Sequence, residues 1–549
     1  MRVRMGISMV TAVYRWIDRN ILELGREMRF SYLPPLMVYM AAGISALTGI
    51  VGTFFVKEYL GLSAEFLAAL AFWAGIPWAL KMPMGHLVDL MWRWKAALVF
   101  VGAGLIATSL GIMIGLLGAP DSMRLVMPVS AWFVVSVLLA PVGYVVQDVV
   151  ADAMTVEAVP RVDAEGTPID EATRKLMHTT MQTLGRVAII GGSVFVAVVN
   201  IWMFSGVEQM AQEAKAGIYR DIYLMALGIP VISVLGVVLA KLIKLRDARR
   251  LRRKGFPGDE IRAMLYEQFE APSPNWWILG GTLVFVVFTV SIGLSGIPFT
   301  QEIIFAGSLA IVLFLMVKLV KVLDIEARRV LVGTAVVIFV YRAIPSPGAG
   351  STWWMIDELG FDQRFLSVLS LIGSMLTLAG MFIFRRFMAE RSIAYVVAFL
   401  TIATTLLSLP IVGMYYGFHE WTAAHTGGFI DARFIAVVDT ALESPLGQIA
   451  MIPMLAWIAR SAPAGLKATF FAVMASFTNL ALSLSQLGTR YLNRIFIVAR
   501  EVKDPATGVV SVPADYGELG MLLIAVTVIG LVLPIAAILL VKATRYRTA

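Results

Sequence analysis

Residues 141–161 read PVGYVVQDVVADAMTVEAVPR. They close an apolar run long enough to cross a bilayer, and they carry Asp148, Asp152 and Glu157 into it or just beyond it. A carboxylate at the centre of the hydrocarbon costs about 2.5–3.5 kcal/mol on insertion scales and more in simulation. Acids held there against that cost face a wet cavity or a partner. The stretch therefore reads as one helix of a membrane bundle with a working interior.

The whole chain agrees. Of its 549 residues 59% are hydrophobic and 15% charged, where soluble proteins carry about 25% charged residues. Apolar runs near the ~20 residues that a ~30 Å hydrocarbon core requires fall at 33–56, 64–84, 96–118, 125–149, 178–204 and 220–244. A polar stretch, 245–275, follows and opens on a basic run. Two more apolar runs lie at 276–297 and 302–320, then six at 329–345, 365–384, 393–417, 431–458, 467–495 and 518–541. Fourteen spans arranged as six, two and six are expected, with a re-entrant pair at 276–320 as the alternative. Residues 8–30 are too charged to span. Met9, Val13, Trp16, Ile17, Ile21, Leu24 and Met28 recur at helical spacing, which predicts an amphipathic helix on the membrane surface.

Charge tests this count. With the N-terminus cytoplasmic, most of the 45 Lys and Arg fall on the cytoplasmic side, as the positive-inside tendency requires. Reading 276–320 as a single span would move Arg385, Arg386, Arg391, Lys542, Arg545 and Arg547 outside. The net charge of +8 is thus a property of loops and does not point to nucleic acid. There is no cysteine, and His86, His178, His419 and His425 show no close ligand spacing, so neither a metal nor a cofactor is expected. No nucleotide-binding GxxxxGK[ST] occurs. The expected fold class is an all-α polytopic membrane protein. Its parts are an N-terminal surface helix (1–32), a six-helix bundle (33–244), a cytoplasmic loop (245–275), an extra helix pair (276–325) and a second six-helix bundle with a short cytoplasmic tail (326–549). Two six-helix halves about an axis along the membrane normal is the layout of the major facilitator architecture.

The loop after the second span reads Lys81-Met-Pro-Met-Gly85-His-Leu-Val-Asp89-Leu-Met-Trp-Arg93-Trp-Lys95. It resembles the signature loop of the major facilitator superfamily, with Trp92 where a second Gly is usual. Gly85 would let helices approach, and Asp89 would pair with a cation or helix N-terminus to latch one conformation. The other reading is a basic loop flanked by interfacial tryptophans.

A narrower resemblance rests on GIPWALKMPMGHLVD (75–89), DVVADAMTVE (148–157), PSPGAGSTWWMIDELGFDQRFLSVLSLIG (345–373) and SAPAGLKATFFAVMASFTNLALSLSQLG (461–488). These segments resemble the folate–biopterin transporter family in order and spacing, over about residues 45–200 and 329–490. Lys467 stands where that family usually has Glu, and Met82 separates Lys81 from Pro83. The resemblance implies transport of a pterin, a folate or another small metabolite.

Asp148 and Asp152 are four residues apart and share a helix face; Asp439 and Glu443 repeat the spacing. Such acids titrate in a proton-coupled carrier or serve as structural ion pairs. The cations in apolar runs are Lys81, Arg186, Arg342, Arg490 and Arg494. The forks of Arg186 and Arg342 would hold a carboxylate bidentately or pair with Asp148, Asp439 or Glu443. Arg490 and Arg494 read as snorkelling to the outer face. Asn479 and Gln486, with Ser476 and Ser483 near the same side, would either read a pterin edge or hydrogen-bond between helices. Gln147, Tyr144 and Gln182 are similar candidates in the first half. Gly191-Gly192 reads as helix packing, and Trp353 and Trp354 as interface anchors.

The expected function is secondary active transport of a small polar solute by alternating access, coupled to protons, by a monomer in a bacterial inner membrane with both termini cytoplasmic. The alternatives are a non-transporting assembly factor or sensor of the same architecture, and a carrier of a different solute such as a muropeptide. Enzymatic chemistry is not expected.

Overall fold

The structure is a computed structural model. It describes residues 15, 18 and 22–548, apart from 61, 80, 92–93, 164, 166, 211, 266–275, 322, 385–386, 388–390, 447–466 and 504–509. Most of the expected surface helix at 8–30 and the end of the run at 431–458 lie outside the described residues.

Within the described residues, every apolar run read from the sequence falls on helix. The first half comprises α1 (Leu33–Ile44), continued by α2 (Gly49–Tyr59), then α3 (Ala64–Ala79), α4 (Lys81–Leu90), α5 (Lys95–Gly118), α6 (Val129–Ala158), α7 (Glu171–Met203), α8 (Gln212–Ala226) and α9 (Gly228–Arg253). After α10 (Gly258–Leu265) comes the extra pair, α11 (Trp276–Leu294) and α12 (Thr300–Val320). The second half holds α13 (Ile325–Arg342), α14 (Ala349–Asp357), α15 (Gln363–Ile383), α16 (Ile393–Tyr415), α17 (Phe418–His425), α18 (Ala432–Glu443), α19 (Lys467–Ile495) and α20 (Leu519–Ala543). Among the described residues, eight stretches are long and apolar enough to span by themselves. A two-stranded ribbon, β1 (Val502–Lys503) and β2 (Val510–Val512), lies between α19 and α20.

Local chemistry sets several starts. Asp170, Asp324, Asp362 and Asp431 each accept a backbone N–H three residues on, at 2.9, 2.7, 2.7 and 2.8 Å, capping α7, α13, α15 and α18. Small residues set the spacing inside the first half. A Cβ at Gly43 would meet the Ile189 carbonyl and Gly192, and a Cβ on either Gly102 or Gly143 would lie 2.7 Å from the other's carbonyl oxygen. The backbones of α1 and α7, and of α5 and α6, thereby touch, which drives association where lipid supplies no hydrophobic force. Of the Gly191-Gly192 pair, only Gly192 packs this way.

The halves meet reciprocally. The second span of the first half, α3, packs along the fifth of the second, α19; the fifth of the first, α7, packs along the second of the other, α15. That exchange is the mark of two bundles related by a two-fold axis. The extra pair lies over one of these seams. Phe285 of α11 and Ile304 of α12 bury against Phe72 and Ile76 of α3 and Leu487 of α19, and Gln301 Nε2 donates to the Ala69 carbonyl at 3.2 Å.

The two ends differ. Away from the basic loops, Lys57 pairs with Asp357 at 2.5 Å, and Tyr516 donates to the same carboxylate at 2.5 Å. Gln363 donates to Tyr219 at 2.9 Å, and Tyr219 to Glu58 at 3.3 Å. Arg500 donates to the Val56 carbonyl and stacks 4.8 Å from the Trp353 ring. Burial pushes the Arg500 guanidinium down to about 10, against the opposing pull of Tyr516 and Asp357. Among the described residues, every ion pair joining one half to the other lies at this end.

Candidate functional site

The interior charges of the first half converge on α6. Asp148 and Asp152 lie one turn apart, and Lys81, the first residue of α4, places its Nζ 2.5 Å from Asp148 and 2.9 Å from Asp152. Tyr39 of α1 donates its hydroxyl to Asp152 at 2.6 Å. Arg186 of α7 lies within electrostatic range of Asp148 and Tyr39 and makes no ion pair among the described residues. Four helices thus contribute to one cluster. Tyr39 is not singled out by the sequence; its only signal there is a hydroxyl in the middle of an apolar run.

The loop expected to act as a latch divides. Lys81, at the start of α4, belongs to the acidic cluster. Lys95 pairs with Glu157 at 2.5 Å, and Lys244 reaches the other oxygen of Glu157 at 2.8 Å, so this brace joins α5, α6 and α9 within one half. Gly85 does not mediate a close helix approach: a Cβ there would meet nothing within 4 Å. The Asp89 side chain and Arg93 lie outside the described residues.

In the second half, Arg342, Asp439 and Glu443 make no ion pair among the described residues. Arg342 closes α13; its Nε is buried and has no hydrogen-bond partner among the described residues. The same holds for Oδ1 of Asp439 on α18. Glu443 is exposed; it stands two and a half turns from Phe434, which belongs with Val438 and Leu442 to the exposed apolar ridge of α18. Asp439 lines a cavity on the Phe434, Val438 and Leu442 side of α18 together with Leu407 and Pro410 of α16. Glu443 is within electrostatic range of Asp439 and of Tyr341 on α13. Direct pairing of Arg186 or Arg342 with Asp148, Asp439 or Glu443, one of the sequence expectations, is not present among the described residues.

The other polar candidates differ in what they touch. Asn479 donates to the Trp78 carbonyl at 3.0 Å, across the α3–α19 seam. Ser476 and Ser483 are buried at the same helix with no partner for their hydroxyls among the described residues, and Gln486 makes no hydrogen bond there. Gln147 donates to the Val99 carbonyl and accepts from Ser233, and Gln182 donates to Thr155. Trp353 and Trp354 do not anchor an interface: both are buried, Trp353 under Arg500, because α14 tucks into the bundle. Arg490 makes defined contacts at the outer end. It reaches Glu65 of the first half at 3.4 Å and Glu302 of the extra pair at 3.6 Å, and donates to Gln301 at 3.1 Å. Arg494 is exposed.

Residues 202–547, more than half of the chain, match the BT1 family. The chain belongs to the BT1 family. The match runs through the extra pair, which the sequence resemblance left out, and does not include 75–89 or 148–157, on which that resemblance partly rested. A relative named "Folate-biopterin transporter", from Synechocystis sp. (strain ATCC 27184 / PCC 6803 / Kazusa), is 31% identical over 148 residues, 27% of this chain and 29% of its own length. A second, "Putative folate transporter 2" from Plasmodium berghei (strain Anka), is 27% identical over 187 residues, 32% of this chain and 37% of its own. The chain thus spans little more than a third of the length of these curated relatives at most. Among solved structures, an auto-inhibited POT family peptide transporter aligns with a TM-score of 0.54 at 12% identity, covering 95% of this chain and 98% of its own. A point mutant of the nucleoside transporter NupG aligns at 0.52 and 11% identity, covering 93% and 99%. At such identities the likeness concerns the fold: this BT1 family member is a multi-pass membrane protein of the major facilitator type.

Proposed function

We propose that this family member is a secondary transporter that moves a small polar metabolite of the pterin or folate class by alternating access, coupled to protons. Glu443 carries the reading: an exposed acid on α18 without a pairing cation among the described residues, in a fold whose two bundles pack reciprocally. The name of the Synechocystis relative supports the substrate class, and the positive-inside distribution supports cytoplasmic termini in a bacterial inner membrane. We read the chain as a monomer.

The geometry suits a rocking cycle. The outer end is closed by Lys57–Asp357 and the Gln363–Tyr219–Glu58 chain, contacts between the halves that opening of this end would break. The Arg342 fork, with its Nε free of a partner among the described residues, takes the carboxylate or the polar edge of the solute. Glu443 and Asp439 take up and release the coupling proton as access alternates. The Lys81–Asp148–Asp152 cluster holds α4 to α6, and Arg186 beside it offers a second cationic contact.

The test is uptake of labelled pterins and folates into proteoliposomes under an inward proton gradient. Glu443→Gln is expected to keep solute binding and to lower gradient-driven uptake about tenfold or more. Gradient-driven uptake by Glu443→Gln equal to that of the unaltered chain would sink the coupling role. Uptake of no pterin or folate by the unaltered chain would sink the substrate class.

A further inference from the structure

A charged cavity lies at the basic-loop end of the first half. Its volume is about 130 Å³, and it opens between α1, the end of α6, the start of α7, α9 and α10. Four cations line it: Arg161, Arg174, Lys244 and Arg250. They come from four places in the chain: the loop after α6, α7, and two turns of α9. Two carboxylates line it as well, and both are engaged. Glu157 is shared by Lys95 and Lys244, and Asp247 lies 3.3 Å from Arg246 and 3.8 Å from Arg250. Arg174 has no carboxylate partner among the described residues, and its Nε is buried with no acceptor there. Among the described lining residues cations outnumber carboxylates, and one guanidinium has an unfilled donor.

The opposite wall is apolar, with Pro34, Val156 and Ile243. Val156 is 46% exposed, so the cavity is entered over a greasy lip. A buried guanidinium fork selects planar or tetrahedral oxyanions. Cations converging from separate elements favour the tetrahedral one, whose oxygens accept from several directions. Basic pockets between spanning helices at this leaflet are also where phospholipid headgroups bind.

We propose that this cavity is a phosphate-binding site, seating the phosphate of an anionic phospholipid or free phosphate, with Arg174 as its central donor. The bound phosphate ties α6, α7 and α9 together one to two turns beyond Asp148 and Asp152, and so braces the helix that carries them.

Thermal unfolding of the full chain in maltoside micelles, which contain no phosphate, tests this. Phosphatidylglycerol added to the micelles, or potassium phosphate against matched chloride, is expected to raise the Tm by roughly 2–4 °C. Arg174→Gln should lose most of that rise. Val156→Trp, which fills the cavity from its exposed lip, should lose it too and decides the matter if Arg174→Gln does not fold. Arg252→Gln, on α9 outside the cavity, should respond like the unaltered chain. A rise with the lipid alone identifies a headgroup site, and a rise with phosphate alone a soluble anion site. The proposal is overturned if neither probe raises the Tm, or if Val156→Trp responds as fully as the unaltered chain.

Discussion

The two halves of this fold use the same pair of acids, four residues apart, to opposite ends. In the first half Asp148 and Asp152 close on Lys81 at 2.5 and 2.9 Å, with Tyr39 filling another oxygen. In the second, Asp439 and Glu443 have no cation against them among the described residues, and Arg342 stands with an orphaned Nε. A paired charge in a low-dielectric interior is satisfied and resists change; an unpaired one is free to meet a solute or a proton. The comparison assigns stability mainly to the first cluster and chemistry mainly to the second.

The strongest blow to that assignment is Lys81→Met. It leaves two carboxylates facing each other inside the bilayer, and breaking a buried pair from one side costs about 3–5 kcal/mol. A large drop in Tm is expected, with partial recovery when Asp148→Asn is added, because the double variant no longer strands that charge. If Lys81→Met unfolds at the same temperature but stops uptake, the first cluster is the working site and the contrast is reversed. Arg342→Gln comes next. It should barely move the Tm, since no ion pair is lost, but should weaken solute binding by about tenfold, the ~1.4 kcal/mol of one charge-assisted hydrogen bond. Binding unchanged in Arg342→Gln would remove the cation from the solute's path.

How far the sequence anticipates this contrast depends on range. The spans are legible because hydrocarbon demands length and apolarity locally, and α5, α15, α16 and α20 fall close to the expected runs. The run at 125–149 stops short of the helix end at Ala158 because its last turns carry their acids on an inner face that hydropathy counts against a span. Pairing is not local. Lys81 reads as a loop residue, yet its partner lies 67 positions on. The Arg490 contacts to Glu65 and Glu302 likewise join three separate parts of the chain. Trp353 and Trp354 read as anchors because tryptophan favours interfaces; that α14 folds inward under Arg500 is set by tertiary packing. The acids and arginines of the site could be proposed from their cost in lipid alone, while which of them are neutralised could not.

The smallest expected effect bears on the seam that both halves share. Asn479 donates to the Trp78 carbonyl at 3.0 Å, joining α19 to α3. Interhelical hydrogen bonds in membranes average only about 0.6 kcal/mol, because the separated helices find other partners. Asn479→Ala should therefore lower the Tm by a degree or two at most and leave solute affinity unchanged, since the amide is spent on the backbone. The carbonyl it releases belongs to the α3–α19 seam, so any change should appear in the rate of uptake and not in binding. A tenfold loss of affinity in Asn479→Ala would mean that the amide leaves Trp78 to meet the solute, and the site would then extend from the second half's charges onto the seam between the bundles.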